Sequence, residues 1–144
     1  MYYSMISKNK YVIRLVKEEK IQNSIVKFCK IKKIKNATLL AIGSVTNPTL
    51  SYYNLNTRKY TEKKMIGDFE LISFIGSIVS FENKPLVHAH ISISNEHMQT
   101  FAGHLVEANV GATVEVILTK LESSIVKKYN EEIGLNLLDL PHEL

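Results

Sequence analysis

Four of the five histidines fall within residues 88–104, at His88, His90, His97 and His104. His88 and His90 stand two apart in PLVHAHISIS, a segment that alternates as a half-buried strand does. Leu86, His88, His90 and Ser92 share one face, and Val87, Ala89, Ile91 and Ile93 share the other. Histidines two apart on a strand project to the same side, about 6 to 7 Å apart at the backbone, so their ring nitrogens can converge on one ion. A third neutral imidazole completes a three-histidine site with one position open to water or substrate, the arrangement typical of catalytic zinc. His104 is the candidate, because Gly103 before it lets the backbone approach the strand pair closely. The same spacing also suits two histidines that merely lie on a polar face. His97, in the loop SNEHMQT, reads as surface. The expected cofactor is a divalent metal, zinc first, although imidazole also suits copper, nickel and iron.

Two carboxylates interrupt otherwise apolar strands, Glu70 in DFELIS and Glu115 in TVEVIL. Each either faces water by simple alternation, or orients a histidine ligand and serves as general base. Arg14, the one charge inside YVIRLV, is a partner for such a carboxylate or for an anionic ligand. Glu70, Glu115 and Arg14 are therefore the catalytic candidates. Ser44 and Ser77 each follow a glycine and read as turn residues. Cys29 reads as a small buried hydrophobe. The chain has no GxGxxG, no P-loop and no cysteine-rich zinc pattern.

The elements that must position these groups are mostly strands. KYVIRLV, residues 10–16, is the first, followed by a polar break at Lys17 to Lys20. From Ile21 the period becomes helical, with Ile21, Ile25, Phe28 and Cys29 on one side and Lys20, Lys27, Lys30 and Lys33 turned to water. This predicts a long amphipathic helix ending near Lys35 and Asn36. ATLLAIGSV predicts a strand that stops at Gly43 and Ser44, before a turn at Asn47 and Pro48. LSYYNL, RKYTEKKM, FELISFIGSIVSF with a kink or bulge at Gly76, PLVHAHISIS and VGATVEVILTKL follow as strands. The tail from Ser123 to Leu144 predicts a short helix before Pro141. One long helix with six to eight strands in local connections gives an α+β fold around a mixed, mostly antiparallel sheet.

The chain of 144 residues is 45% apolar and 22% charged, which suits one domain over residues 1–144. No apolar run reaches the roughly 18 residues of a membrane span, and MYYSMISKNK lacks a signal-like stretch. A single cysteine excludes an intramolecular disulfide, so the expected location is cytoplasmic. The net charge of +4 is unevenly placed, because residues 1–35 carry +8 and the remainder −4. Only Arg14 and Arg58 are arginines, and lysine is the weaker residue for base-edge recognition. The lysine-rich helix still offers phosphate contacts through Lys20, Lys27, Lys30 and Lys33, so DNA is the alternative partner.

The order IRLVKEEKI, AIGSV, GDFELISFIGSI, PLVHAHISIS and AGHLVEANVGATVEVIL resembles the plants-and-prokaryotes-conserved (PPC) domain family from about Tyr11 to about Leu121. The matching positions are Arg14, Glu19, Gly43, Ser44, Glu70, His88, His90, Gly103 and His104. Ala102 departs from the family's usual Gly-Gly-His. The resemblance implies an α+β homotrimer with a zinc-type site at the three histidines. It also implies an association with DNA, although the Arg-Gly-Arg-Pro core of the plant members' AT-hooks is absent. A fold similar to that of acetolactate decarboxylases adds a metal-dependent lyase as a reading by analogy alone.

Overall fold

The computed structural model describes residues 1–122 and 124–142. Its fold is β-rich, which corrects the expected α+β arrangement with a long helix. Nine strands occur among the described residues: β1 (Tyr2–Ser7), β2 (Lys10–Val16), β3 (Ala37–Asn54), β4 (Lys59–Lys64), β5 (Asp68–Phe81), β6 (Lys84–Ser94), β7 (Thr100–Lys120), β8 (Val126–Asn130) and β9 (Leu135–Asp139). One helix, α1 (Ile21–Lys32), interrupts them. It is shorter than expected because Lys33 adopts a left-handed conformation at φ 54°. The Ile34 N–H then donates to the Cys29 carbonyl at 2.8 Å and that of Lys33 to Lys30 at 3.2 Å, closing a Schellman end without the usual glycine.

The strands form one sheet in the order β1-β2-β7-β3-β5-β8-β9, with β4 on β3 and β6 bridging β5 and β7. All strand pairs are antiparallel except a single parallel pairing of Ser80 with Val126. The sheet therefore curls until β3, β5, β6 and β7 close on one another. Strand length was the feature least visible in sequence. β3 passes through Gly43, Ser44, Asn47 and Pro48 with register shifts instead of stopping and turning. At Gly43, φ is +147° and a Cβ would lie 2.2 Å from the Thr113 carbonyl oxygen, so only glycine admits this approach of β3 to β7. The bulge in β5 lies between Leu71 and Ser73, not at Gly76, which stays in a regular ladder opposite Ala89. The tail forms the β8–β9 hairpin in place of the expected helix; Ser123, Glu143 and Leu144 lie outside the described residues.

The core lies inside the curl, where Leu39, Phe74, Ile78, Ile91, Leu105, Val116 and Leu118 are buried. Helix α1 packs there against β6 and β7. Burying Ile21, Ile25 and Phe28 contributes roughly 1.5 to 3 kcal/mol each. No side chain caps the N-terminus of α1 from within the helix. Glu107 on β7 does so instead, accepting the N–H groups of Gln22 at 3.0 Å and Asn23 at 3.4 Å. Among the described residues no helix is long and apolar enough to cross a membrane.

Candidate metal centre

The buried Val87, Ala89, Ile91 and Ile93 turn one face of β6 inward, which leaves His88 and His90 on the outer face. A tight turn then aligns β7 against β6. Asn95 sets it, its Oδ1 accepting the N–H groups of His97 and Gln99 at 3.0 Å each. The resulting register places His104 directly across from His90. Gly103 permits close packing on β3, since a Cβ there would stand 3.2 Å from the Ser51 carbonyl oxygen. The neighbouring Ala102 is exposed, so its methyl group meets no packing obstacle.

The three imidazoles form a near-equilateral triangle, with ring centroids 5.2 Å apart for His88–His104, 5.4 Å for His88–His90 and 5.5 Å for His90–His104. One ring nitrogen from each lies within 4.8 Å of the other two. Desolvation, the Lys127 ammonium, and the neighbouring His104 and His90 push the His88 pKa down to about 4. That of His104 is lowered by desolvation, then by His90 and Lys127. Three imidazole nitrogens gathered this closely suit a single divalent cation of the zinc type. Ser51, the cross-strand partner of His104, has a buried hydroxyl without a hydrogen-bond partner among the described residues.

A cleft of about 560 Å3 opens beside His88 and His104 and is walled on its far side by the β8–β9 hairpin. That wall brings in Lys127 and Tyr129, while β4 supplies Tyr60, whose ring centroid is 6.0 Å from that of His104. None of these three stood out in the sequence. The signal was two short alternating runs, VKKYN and LNLLD, around Gly134, a pattern of a hairpin.

The other candidates lie elsewhere. Glu70 is exposed and pairs in register with Ser94 and Ser44, lining a separate depression with Lys17. Glu115 sits toward the opposite end of β7 from His104, in register with Arg14 on β2. The Arg14 guanidinium lies over the Tyr2 ring, 4.8 Å from its centroid. The side chain of His97 is 73% exposed in the β6–β7 turn. Lys20, Lys27, Lys30 and Lys33 are all exposed, and α1 covers the inner surface of β6, opposite the histidines.

The outer face also carries an apolar row. Val12, Ile117, Leu40 and Ile75 follow one another across β2, β7, β3 and β5 in register, and Ile75 in turn faces His90. Their exposures run from 37% to 63%.

The family model of the Plants and Prokaryotes Conserved (PCC) domain matches residues 2–122. Among solved structures, the chain is similar to a plant- and prokaryote-conserved (PPC) protein of Pyrococcus horikoshii, with 30% identity, TM-score 0.87, and 99% and 97% of the two chains covered. It is similar to a "putative dna binding protein" of Bacteroides thetaiotaomicron at 28% identity and TM-score 0.92, over 96% of each chain. A metal-containing protein of Archaeoglobus fulgidus shares the fold, at 24% identity and TM-score 0.84 over 95% and 97%. The comparison with curated proteins gives no significant match.

Proposed function

The chain belongs to the Plants and Prokaryotes Conserved domain family, and from that premise we propose that it is a metal-binding member holding one divalent cation, zinc by donor chemistry, on His88, His90 and His104. The observation that carries this reading is the convergence of three ring nitrogens within 4.8 Å on the outer face of a rigid strand pair. Three protein donors leave a coordination position open, and an ion so held supplies Lewis-acid character. The histidines would hold the ion, and Tyr60 and the β8–β9 hairpin line the cleft beside it. Elemental analysis of purified protein tests this. About one zinc per chain is expected in the wild type and none in a variant with His88→Ala and His90→Ala. Equal zinc in both would refute the site.

The assembly we propose is a homotrimer, as the family resemblance implies. Its support here is the exposed row Val12, Ile117, Leu40 and Ile75, an apolar stripe of the kind that oligomers cover. Light scattering is expected to give three times the chain mass, and Leu40→Lys to reduce it. A wild-type monomer would remove the trimer.

A second reading is favoured by the exposure of Lys20, Lys27, Lys30 and Lys33 along α1 and by the name of the Bacteroides relative. In it, the helix contacts DNA phosphates without reading sequence. Affinity would then fall steeply with salt. A mobility-shift titration that shows no complex at low salt would eliminate it.

A further inference from the structure

The cleft beside the histidines carries an unbalanced charge. Lys127 is half-buried in it, and no carboxylate lies within ion-pair distance of its ammonium among the described residues. Among the described residues no aspartate or glutamate lines the cleft. Three neutral imidazoles bring no negative charge, so a divalent ion on them keeps its full charge beside the Lys127 ammonium. Like charges this close, partly shielded from water, favour an anion between them or next to them. The rest of the lining is largely apolar, with Leu86 on β6 and Leu135, Leu137 and Leu138 on β9, and its polar members are Ser77, Asn136, Tyr60 and Tyr129. A dense inorganic anion would leave that wall uncovered, whereas an anion with a hydrocarbon body covers it.

The wall is held in place and is not a loose tail. The Asn36 side chain bonds Ile125 in both directions, the Tyr53 hydroxyl donates to the Ile133 carbonyl at 2.8 Å, and Arg58 donates to the Glu131 carbonyl at 3.0 Å. These bonds fix both ends of β8, and so the position of Lys127 opposite the histidines. The family match ends at residue 122, before this hairpin begins.

We infer that the cleft is a binding site for a small organic carboxylate, its head group received by Lys127 beside the metal and its apolar body lying against Leu86 and the β9 leucines. This rests on the metal reading above, so the two are measured by separate signals. Cobalt(II) absorption reports the metal, and 1H–15N shifts of the Lys127 and Gly134 amides in zinc-loaded protein report the anion. Butyrate is expected to shift those amides saturably, n-butylamine to leave them unmoved, and inorganic phosphate to bind more weakly than butyrate. Lys127→Met should weaken butyrate about tenfold or more with the cobalt spectrum retained, and Lys127→Arg should stay within about threefold of wild type.

Cobalt bands without a butyrate-dependent shift would overturn the inference alone, as would equal butyrate affinity in Lys127→Met. Tighter binding of phosphate than of butyrate would overturn the organic class. Absent cobalt bands would overturn the metal reading. In that case a Lys127-dependent butyrate shift in the metal-free protein would sustain the anion site, and no shift would overturn both.

Discussion

Asn36 and Ile125 hold each other by two hydrogen bonds, the Asn36 Nδ2 donating to the Ile125 carbonyl at 2.7 Å and the Ile125 N–H donating to Asn36 Oδ1 at 3.2 Å. A side-chain amide here substitutes for a strand partner at the point where the chain leaves β7 and crosses to β8. Asn36 is 1% exposed and Ile125 half-buried, so removing the amide leaves the Ile125 carbonyl and N–H without their protein partner in a partly buried place. Asn36→Ala is expected to cost about 2 to 3 kcal/mol in urea unfolding. Hydrogen exchange should rise selectively over residues 126–139. Uniform exchange across the sheet would show that the pair does not anchor the hairpin.

The capping of α1 by Glu107 gives a second expectation. The carboxylate meets two orphan N–H groups and the positive end of the helix at once. Glu107→Ala should destabilise by about 1 to 2 kcal/mol, whereas Glu107→Gln, which keeps one oxygen for the Gln22 N–H but loses the charge and the acceptor for Asn23, should cost less. Chemical denaturation of both variants at one ionic strength checks the order. Equal losses would show that the one oxygen kept by glutamine contributes nothing to the cap.

The histidines were legible in the sequence because their signal is local: a two-residue spacing on an alternating strand, and a glycine before a third ring. The helix face was legible for the same reason, and Ile21, Ile25, Phe28 and Cys29 are all buried. The end of α1 was not, because Lys33 takes the left-handed conformation that sequence patterns assign to glycine or asparagine. The unbroken length of β3 was hidden as well. Asn47 and Pro48 carry the chemistry of a turn, yet here they occupy a register shift that bends a strand between two partners. The capping of α1 by Glu107 and the place of Lys127 in the cleft depend on residues about 20 to 85 positions apart in the chain, which no local pattern encodes. Glu70 and Glu115 stood out as charges in apolar runs, and both are exposed on the outer face, where alternation alone accounts for them.

Cys29 sets a pH dependence. Burial pushes its thiol up to about 12 from an ordinary 9.0. Between those values the unfolded chain ionises the thiol and the folded chain does not, so the folded state binds more protons and stability falls as pH rises. The contribution is fully present below pH 9 and is lost as pH rises toward 12, at about 1.4 kcal/mol per pH unit. Urea unfolding of wild type and Cys29→Ala between pH 8 and 10.5 isolates it, because all other groups titrate in both. The difference in stability should narrow as pH rises. Parallel profiles would mean that the thiol ionises without cost in the fold.

Metal binding to the native histidine cluster, and not to the unfolded chain, must raise stability by mass action. With zinc at a hundredfold excess over its dissociation constant the gain is about 2.7 kcal/mol, which corresponds to roughly 5 to 10 °C in the unfolding midpoint. His88→Ala, His90→Ala and His104→Ala should each abolish most of that gain, since two remaining imidazoles hold an ion poorly. His97→Ala is the control, because its side chain is 73% exposed in the β6–β7 turn and stands outside the triangle. It should keep the full zinc-dependent shift. Loss of the shift in His97→Ala would make the turn a fourth source of ligand, and an equal shift in all four variants would place the zinc elsewhere on the chain.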